Sequence, residues 1–177
     1  AHYLTANLFW GGDVPGIWTE AVDGDVMSIR FDAEGGGENG PRHLIVARAP
    51  TGASPEGIAI SPDGEWAVTT NLEVSYAPPD DPRHTPYSSL TFIDLVPETG
   101  AMETVGTYYF DGILPEAATF DASGQYIAVV NYDQLPGGVE GGSIDFWRVV
   151  DGDEPKLVQT RTSIVVPHGP HSTQLVN

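Results

Sequence analysis

Three side chains capable of acid–base chemistry recur at one position of a sequence repeat. Glu56 and Glu116 each follow a proline, and so does His171. Two carboxylates and an imidazole can hold a divalent cation or polarise a water molecule. The alternative role is structural, in which each carboxylate accepts backbone N–H bonds where a strand begins.

The repeat that carries these residues has a fixed offset of 60 positions. Residues 54–71 and 114–131 align without a gap, and both copies contain a Pro-Glu pair, a turn glycine and a final asparagine. In the first copy, residues 62–64 are Pro-Asp-Gly, which is typical of a tight turn between two short strands. Such self-similarity predicts one supersecondary unit per period.

The segments between the copies add two more strands to each unit. The third strands are predicted to share an apolar pair on one face: Ile29/Phe31, Leu90/Phe92 and Ile144/Phe146. Four-stranded antiparallel units that cannot bury a face alone predict an all-β fold, a β-propeller with about three blades in this chain. A sandwich of irregular hairpins is the alternative.

The same pattern divides the chain into blades. We predict a partial blade at 1–49, complete blades at 50–109 and 110–166, and the start of a further blade at 167–177. Closed propellers contain about four or more blades. The expected partners in the ring are therefore the remaining blades of a seven-bladed propeller. A second copy of the chain that closes a six-bladed ring is the alternative.

Composition limits the function classes. Of the 177 residues, 25 are acidic and 7 are basic, which gives a formal net charge of −18. This charge repels nucleic acid and anionic membranes, and no apolar run is long enough to span a bilayer. We therefore predict neither nucleic-acid binding nor membrane insertion. The scattered acids favour a periplasmic or extracellular protein, and recruitment of cations or a basic partner is the alternative.

Propeller geometry predicts where the acid–base residues meet. The first strand of each blade lines the central channel, so Glu56, Glu116 and His171 should converge at one mouth of that channel. The loops after the second strands should reach the same face, and they begin at Asn71 and Asn131.

The predicted ligand-binding residues at this mouth are Glu56, Asn71, Asn131 and Tyr132. For the two asparagines the alternative is a strand-end cap, in which the side chain bonds to the backbone. Trp10, Trp18 and Tyr76 lie in the predicted loops, where they could stack on a ring-shaped ligand or pack over the blades.

A metal site is a further alternative. His168 and His171 are close enough in sequence to suggest copper or zinc, although stable sites use three or four ligands. A divalent cation is the only cofactor that these residues suggest.

Two parts of the sequence resemble known propeller families. Residues 54–64, together with Thr70 and Asn71, resemble the YVTN-type repeat. Residues 126–132, 141–146 and 169–172 are similar to the Asn-Tyr, Gly-Ser and Pro-His-Ser runs of the lactonase family of seven-bladed propellers, the 6-phosphogluconolactonase type. That resemblance implies that His171 binds or activates a lactone carbonyl and that Glu116 acts as an acid or base.

Three functions remain open from the sequence. The first is an extracytoplasmic propeller that binds a small-molecule or protein ligand without turnover. The second is a hydrolase of a small lactone that uses the Glu/His cluster at the channel mouth. The third is a redox propeller with a metal at His168 and His171.

Overall fold

The regular secondary structure of the described residues consists of β-strands, with no helix. The computed structural model describes residues 1–8, 22–31, 43–134 and 140–176. The strands are β1 (His2–Asn7), β2 (Asp23–Phe31), β3 (His43–Ala53), β4 (Pro55–Ile60), β5 (Trp66–Asn71), β6 (Ser88–Val96), β7 (Ala101–Phe110), β8 (Ile113–Phe120), β9 (Tyr126–Asp133), β10 (Gly142–Val150) and β11 (Lys156–Val166). The described part of the chain holds no helix with the length and apolar character that crossing a membrane requires.

The strands form three antiparallel sheets in which neighbours along the chain pair with each other. The sheets are β1–β2–β3, β4–β5–β6–β7 and β8–β9–β10–β11. The first strands of the two complete sheets, β4 and β8, contact each other. The all-β prediction is confirmed, and the arrangement is consistent with consecutive blades of an incomplete β-propeller.

The sheets pack face to face through apolar side chains. One core cluster joins the second and third sheets and includes the buried residues Leu90, Phe92, Ile127 and Trp147. A smaller cluster around Val26 and Ile93 joins the first and second sheets. The repeat therefore buries both faces of its middle sheet.

The blade boundaries differ slightly from the predicted ones. β3 continues through Ala53, so the first sheet ends four residues after the predicted boundary at 49. β7 ends at Phe110 and β8 begins at Ile113. Beyond β11 the chain runs beside β8, where the Thr119 hydroxyl donates a 2.8 Å hydrogen bond to the Thr173 carbonyl.

Strand register corrects one predicted apolar pair. Val26 and Leu90 occupy equivalent places, because each directly follows the residue opposite the asparagine that ends the preceding strand. Side chains alternate between the faces of a strand, so Ile29 and Phe31 lie on the opposite face from Val26. The prediction for the third strands is therefore wrong for the first sheet, where the repeat is weakest.

Candidate functional site

An unusual backbone conformation introduces each of the three acid–base residues. Ser54, Leu114 and Gly169 have φ angles of 55°, 51° and 82°, and each directly precedes a proline. Positive φ is uncommon outside glycine and strained for a bulky residue such as leucine. The same backbone turn therefore precedes Glu56, Glu116 and His171.

β-Bulges then redirect the two glutamates. The register shifts by one residue at 55–58 in β4 and at 115–117 in β8. Such an extra residue bends the strand and re-aims its side chain. Glu56 and Glu116 lie within these bulges.

Close approach of β4 to β8 sets the two carboxyl groups side by side. A Cβ atom on Gly57 would lie 2.7 Å from the Glu116 carbonyl oxygen and 2.6 Å from the Thr70 hydroxyl. Only glycine fits this contact without a shift of the neighbouring backbone.

The three predicted residues do come together. The carboxyl groups of Glu56 and Glu116 are hydrogen-bonded to each other, and His171 Nδ1 lies 3.5 Å from Glu116 Oε2. Burial raises the pKa of Glu56, and the charge of Glu116 and the hydrogen bond to it raise this pKa further against the opposing effect of His171. The surroundings of the pair therefore favour the neutral form of the Glu56 carboxyl group.

The cluster has a buried side and an open side. The Glu116 side chain is 11% exposed, whereas the His171 side chain is 66% exposed. Tyr132 packs beside the imidazole with ring centroids 5.3 Å apart in an edge-on arrangement. A small molecule can therefore reach the imidazole and approach the carboxyl pair from solvent.

The two predicted ligand-binding asparagines lie inside the sheets. Asn71 and Asn131 are fully buried, which leaves no surface for a ligand. Asn71 donates to the hydroxyls of Ser89 and Thr91, each at 2.9 Å. The ligand-binding prediction for both residues finds no support in this geometry, and their bonds go to side chains and not to the backbone.

Asn131 forms the corresponding bonds in the third sheet. Its amide nitrogen donates to Ser143 Oγ at 3.0 Å and to Asp145 Oδ2 at 2.8 Å. In both sheets the asparagine ties the end of the second strand to the third strand.

The proposed metal pair is divided between two carboxylates. His168 Nδ1 lies 3.4 Å from Asp133 Oδ1, while His171 faces Glu116. Across the described ranges, no group of three or more His, Cys, Asp or Glu side chains is arranged to hold a metal ion. The prediction of a metal at His168 and His171 is not supported.

A cavity that the sequence does not predict adjoins the cluster. It has a volume of about 330 Å³ and is lined by residues of two sheets: Ser75, Tyr76, Ala77, Pro78, Pro79, His84, Ile113, Leu114, Tyr132 and Asp133. Tyr76, predicted to lie in a loop where it could stack on a ring-shaped ligand or pack over the blades, forms part of this wall. Trp10 and Trp18 lie outside the described residues.

Comparison with known proteins supports the fold. No protein-family model and no curated protein sequence matches the chain. A Bacteroides fragilis protein proposed to be a 6-phosphogluconolactonase matches 81% of this chain and 34% of its own, with 16% identity and a TM-score of 0.53. The periplasmic gluconolactonase of Pseudomonas aeruginosa matches 85% of this chain and 35% of its own, with 18% identity and a TM-score of 0.53.

These values indicate a shared fold at low sequence identity. The chain spans about a third of the length of the solved structures that it matches. The structural likeness agrees with the lactonase-like fold relation that the sequence motifs suggest.

Proposed function

We propose that the Glu56–Glu116–His171 cluster hydrolyses a small lactone. The observation that carries this proposal is the convergence of the three side chains from three equivalent positions of the repeat, with Glu56 beside Glu116 and His171 Nδ1 3.5 Å from Glu116 Oε2. Structural neighbours named as gluconolactonases add support from fold analogy.

The geometry suggests a role for each residue. Glu116 accepts a proton from a water molecule as its oxygen attacks the lactone carbonyl carbon. His171, which is exposed at the mouth, donates a hydrogen bond to the carbonyl oxygen as negative charge develops there. Collapse of the intermediate breaks the ring C–O bond, and the proton held by Glu116 passes to the departing alkoxide to give the hydroxy acid.

Glu56 has a supporting role in this scheme. Burial and the charge of Glu116 raise the pKa of Glu56 and so favour its neutral form, which can hold Glu116 in place through a hydrogen bond without adding a second negative charge. Glu56→Gln keeps a neutral hydrogen-bond donor at this position, so we expect a smaller loss of activity than for Glu116→Gln.

A panel of lactones assayed by release of acid tests the proposal. Glu116→Gln and His171→Ala should each lower turnover by about a hundredfold or more. His168→Ala is the matched control, because this histidine is also half exposed but pairs with Asp133 instead of the cluster. Full turnover in Glu116→Gln would refute the mechanism, and tight lactone binding without turnover would support a binding module.

The remaining context is also a proposal. The acidic composition and the periplasmic neighbour support a periplasmic or extracellular location. Further blades or a second copy of the chain complete the ring. Light scattering on the purified chain tests the second copy, since a mass near 18.9 kDa would exclude it.

A further inference from the structure

The cavity beside the cluster shares a wall with the proposed reaction centre. Tyr132 lines the cavity and also contacts the His171 ring. Leu114 lines it two residues before Glu116. A lactone whose carbonyl faces the cluster can therefore extend its substituent into the cavity. Its volume of about 330 Å³ lies at the small end of the range for small-molecule sites.

The polar groups of the cavity are mostly engaged within the protein. The Ser75 hydroxyl donates to the Leu72 carbonyl at 2.8 Å and accepts a bond from Ser88 at 3.0 Å. Asp133 accepts a 2.7 Å bond from the Gln134 backbone and lies 3.4 Å from His168. The rest of the wall is mainly apolar and consists of Ala77, Pro78, Pro79, Ile113 and Leu114 with the two tyrosine rings. It also contains His84, whose Nδ1 is buried without a hydrogen-bond partner among the described residues.

The charges near the cavity do not favour an anion. Arg83 directly precedes the wall residue His84. Its Nε and Nη2 atoms donate to the two carboxylate oxygens of Asp81, at 2.9 and 2.6 Å. Burial raises the pKa of Tyr76 to about 12, so its phenol stays neutral. Asp133 and the carboxyl pair lie nearby. A phosphate would therefore meet the carboxylate of Asp133, while the guanidinium of Arg83 is already paired with Asp81.

We propose that this cavity is a substituent-binding subsite that selects uncharged lactones carrying an aromatic or short hydrocarbon group. The inference rests on the proposed function and makes it more specific. A polyhydroxylated lactone would lose many hydrogen bonds to water that this mainly apolar wall replaces only in part, and a phosphorylated lactone would also be repelled by Asp133. Tyr132 and Tyr76 supply aromatic surface on which a ring can pack.

Three lactones distinguish the substrate classes. We expect kcat/KM for γ-phenyl-γ-butyrolactone to exceed that for glucono-δ-lactone by about tenfold or more, with the phosphorylated gluconolactone lowest. Equal or higher kcat/KM for either sugar lactone would overturn the inference while leaving lactone hydrolysis intact.

Two pairs of variants link this preference to the cavity. Tyr76→Ala should reduce the preference for the phenyl lactone by about tenfold, because it removes part of the aromatic wall. The control Tyr87→Ala removes a tyrosine that packs on Tyr109 away from the cavity, and it should leave the preference unchanged.

The second pair adds a cation. Pro79→Arg places a guanidinium at the exposed rim and should raise kcat/KM for the phosphorylated lactone several-fold. Pro86→Arg adds the same charge to an exposed position that does not line the cavity, and it is expected to have no such effect. Equal behaviour of the two arginine variants would count against the subsite even if Tyr76→Ala failed to fold.

A binding measurement separates failure of the subsite from failure of catalysis. The lactam analogue of γ-phenyl-γ-butyrolactone retains the ring and the phenyl group but resists hydrolysis. If no lactone is turned over but the lactam binds and Tyr76→Ala weakens it, lactone hydrolysis fails and the subsite stands. If the wild-type chain turns lactones over but shows no binding of the lactam, the subsite is wrong.

Discussion

The second and third sheets have the same arrangement of four strands, yet their side-chain hydrogen bonds differ. In the β4–β5 turn, Ser61 Oγ donates to Asp63 at 2.5 Å and accepts from the Trp66 backbone at 2.9 Å. In the β8–β9 turn the two residue types are exchanged. Asp121 accepts from Ser123 at 2.7 Å and from the Tyr126 backbone at 3.0 Å. At this turn the repeat preserves the hydrogen-bonded shape more strictly than the residue identities.

A second difference is the hydrogen bonding of the equivalent residues Asn71 and Asn131. Thr69 donates a 3.0 Å bond to Asn71 Oδ1, whereas the equivalent residue in the third sheet is Val129. Asn131 Oδ1 is consequently buried without a hydrogen-bond partner among the described residues. The third sheet therefore lacks one buried bond that the second sheet has.

The third difference bears on function. Leu72 and Glu73, which directly follow β5, are buried. The equivalent residues of the third sheet, Tyr132 and Asp133, are half exposed and line the cavity. The same position of the repeat is therefore closed by buried side chains in the second sheet and borders a cavity in the third. The candidate site lies at the open position.

The largest expected effect comes from the tight contact between these sheets. Gly57→Ala should destabilise the protein by about 1–3 kcal/mol and lower turnover, because the added Cβ collides with the backbone of Glu116. Ala117→Gly, at the equivalent position of β8, is the matched control and should cost about 0.5–1 kcal/mol. Urea unfolding checks both values. A cost for Gly57→Ala no larger than that of the control would show that β4 is not held tightly against β8.

Thr69→Val should reproduce in the second sheet the defect of the third. It leaves Asn71 Oδ1 without its donor at nearly constant volume, and we expect a loss of about 1–2 kcal/mol. Chemical denaturation with unchanged m-value would confirm that the effect is on stability. A neutral substitution would mean that the Thr69–Asn71 bond adds nothing to this sheet.

The sequence predicts the framework better than the contacts that distinguish its copies. Constant spacing of Pro-Glu and asparagine places the strands and brings Glu56, Glu116 and His171 together. The cavity cannot be predicted this way, because its wall joins the loop after β5 to residues of the next sheet. The burial of Asn71 and Asn131 also escapes prediction, since their partners are hydroxyl and carboxyl groups on a different strand.

Val129→Thr is the reverse experiment and should stabilise the protein by about 0.5–1 kcal/mol. The new hydroxyl lies two residues before Asn131, the same spacing that joins Thr69 to Asn71 and Thr5 to Asn7. Val68→Thr is the control. Both valines belong to the apolar cluster between the sheets, but only Val129 lies two residues before an asparagine whose Oδ1 lacks a partner in the described part of the chain, so Val68→Thr should destabilise. Equal destabilisation by the two variants would show that the orphan oxygen of Asn131 is not within reach.

The smallest effect is a change in pH dependence at the filled position. Burial raises the pKa of Glu73 above its ordinary value of 4.5, and the charge of Asp23 raises it further, against hydrogen bonds from Ser89 and the Ala53 backbone. Ionisation then costs the folded state more than the unfolded state, so wild-type stability falls as pH rises from the ordinary value through the raised one.

Glu73→Gln cannot ionise, and its side-chain oxygen can still accept the 2.6 Å bond from Ser89. The variant should therefore match the wild-type chain below pH 4.5, where both side chains are neutral, and exceed it increasingly as pH rises. Thermal unfolding across this pH window measures the difference, and the acidic end serves as the internal control. A stability difference that is the same at every pH would mean that the Glu73 carboxyl group titrates alike in the folded and unfolded states. Burial of Glu73 after β5 would then have no electrostatic effect to set against the open cavity at the end of β9.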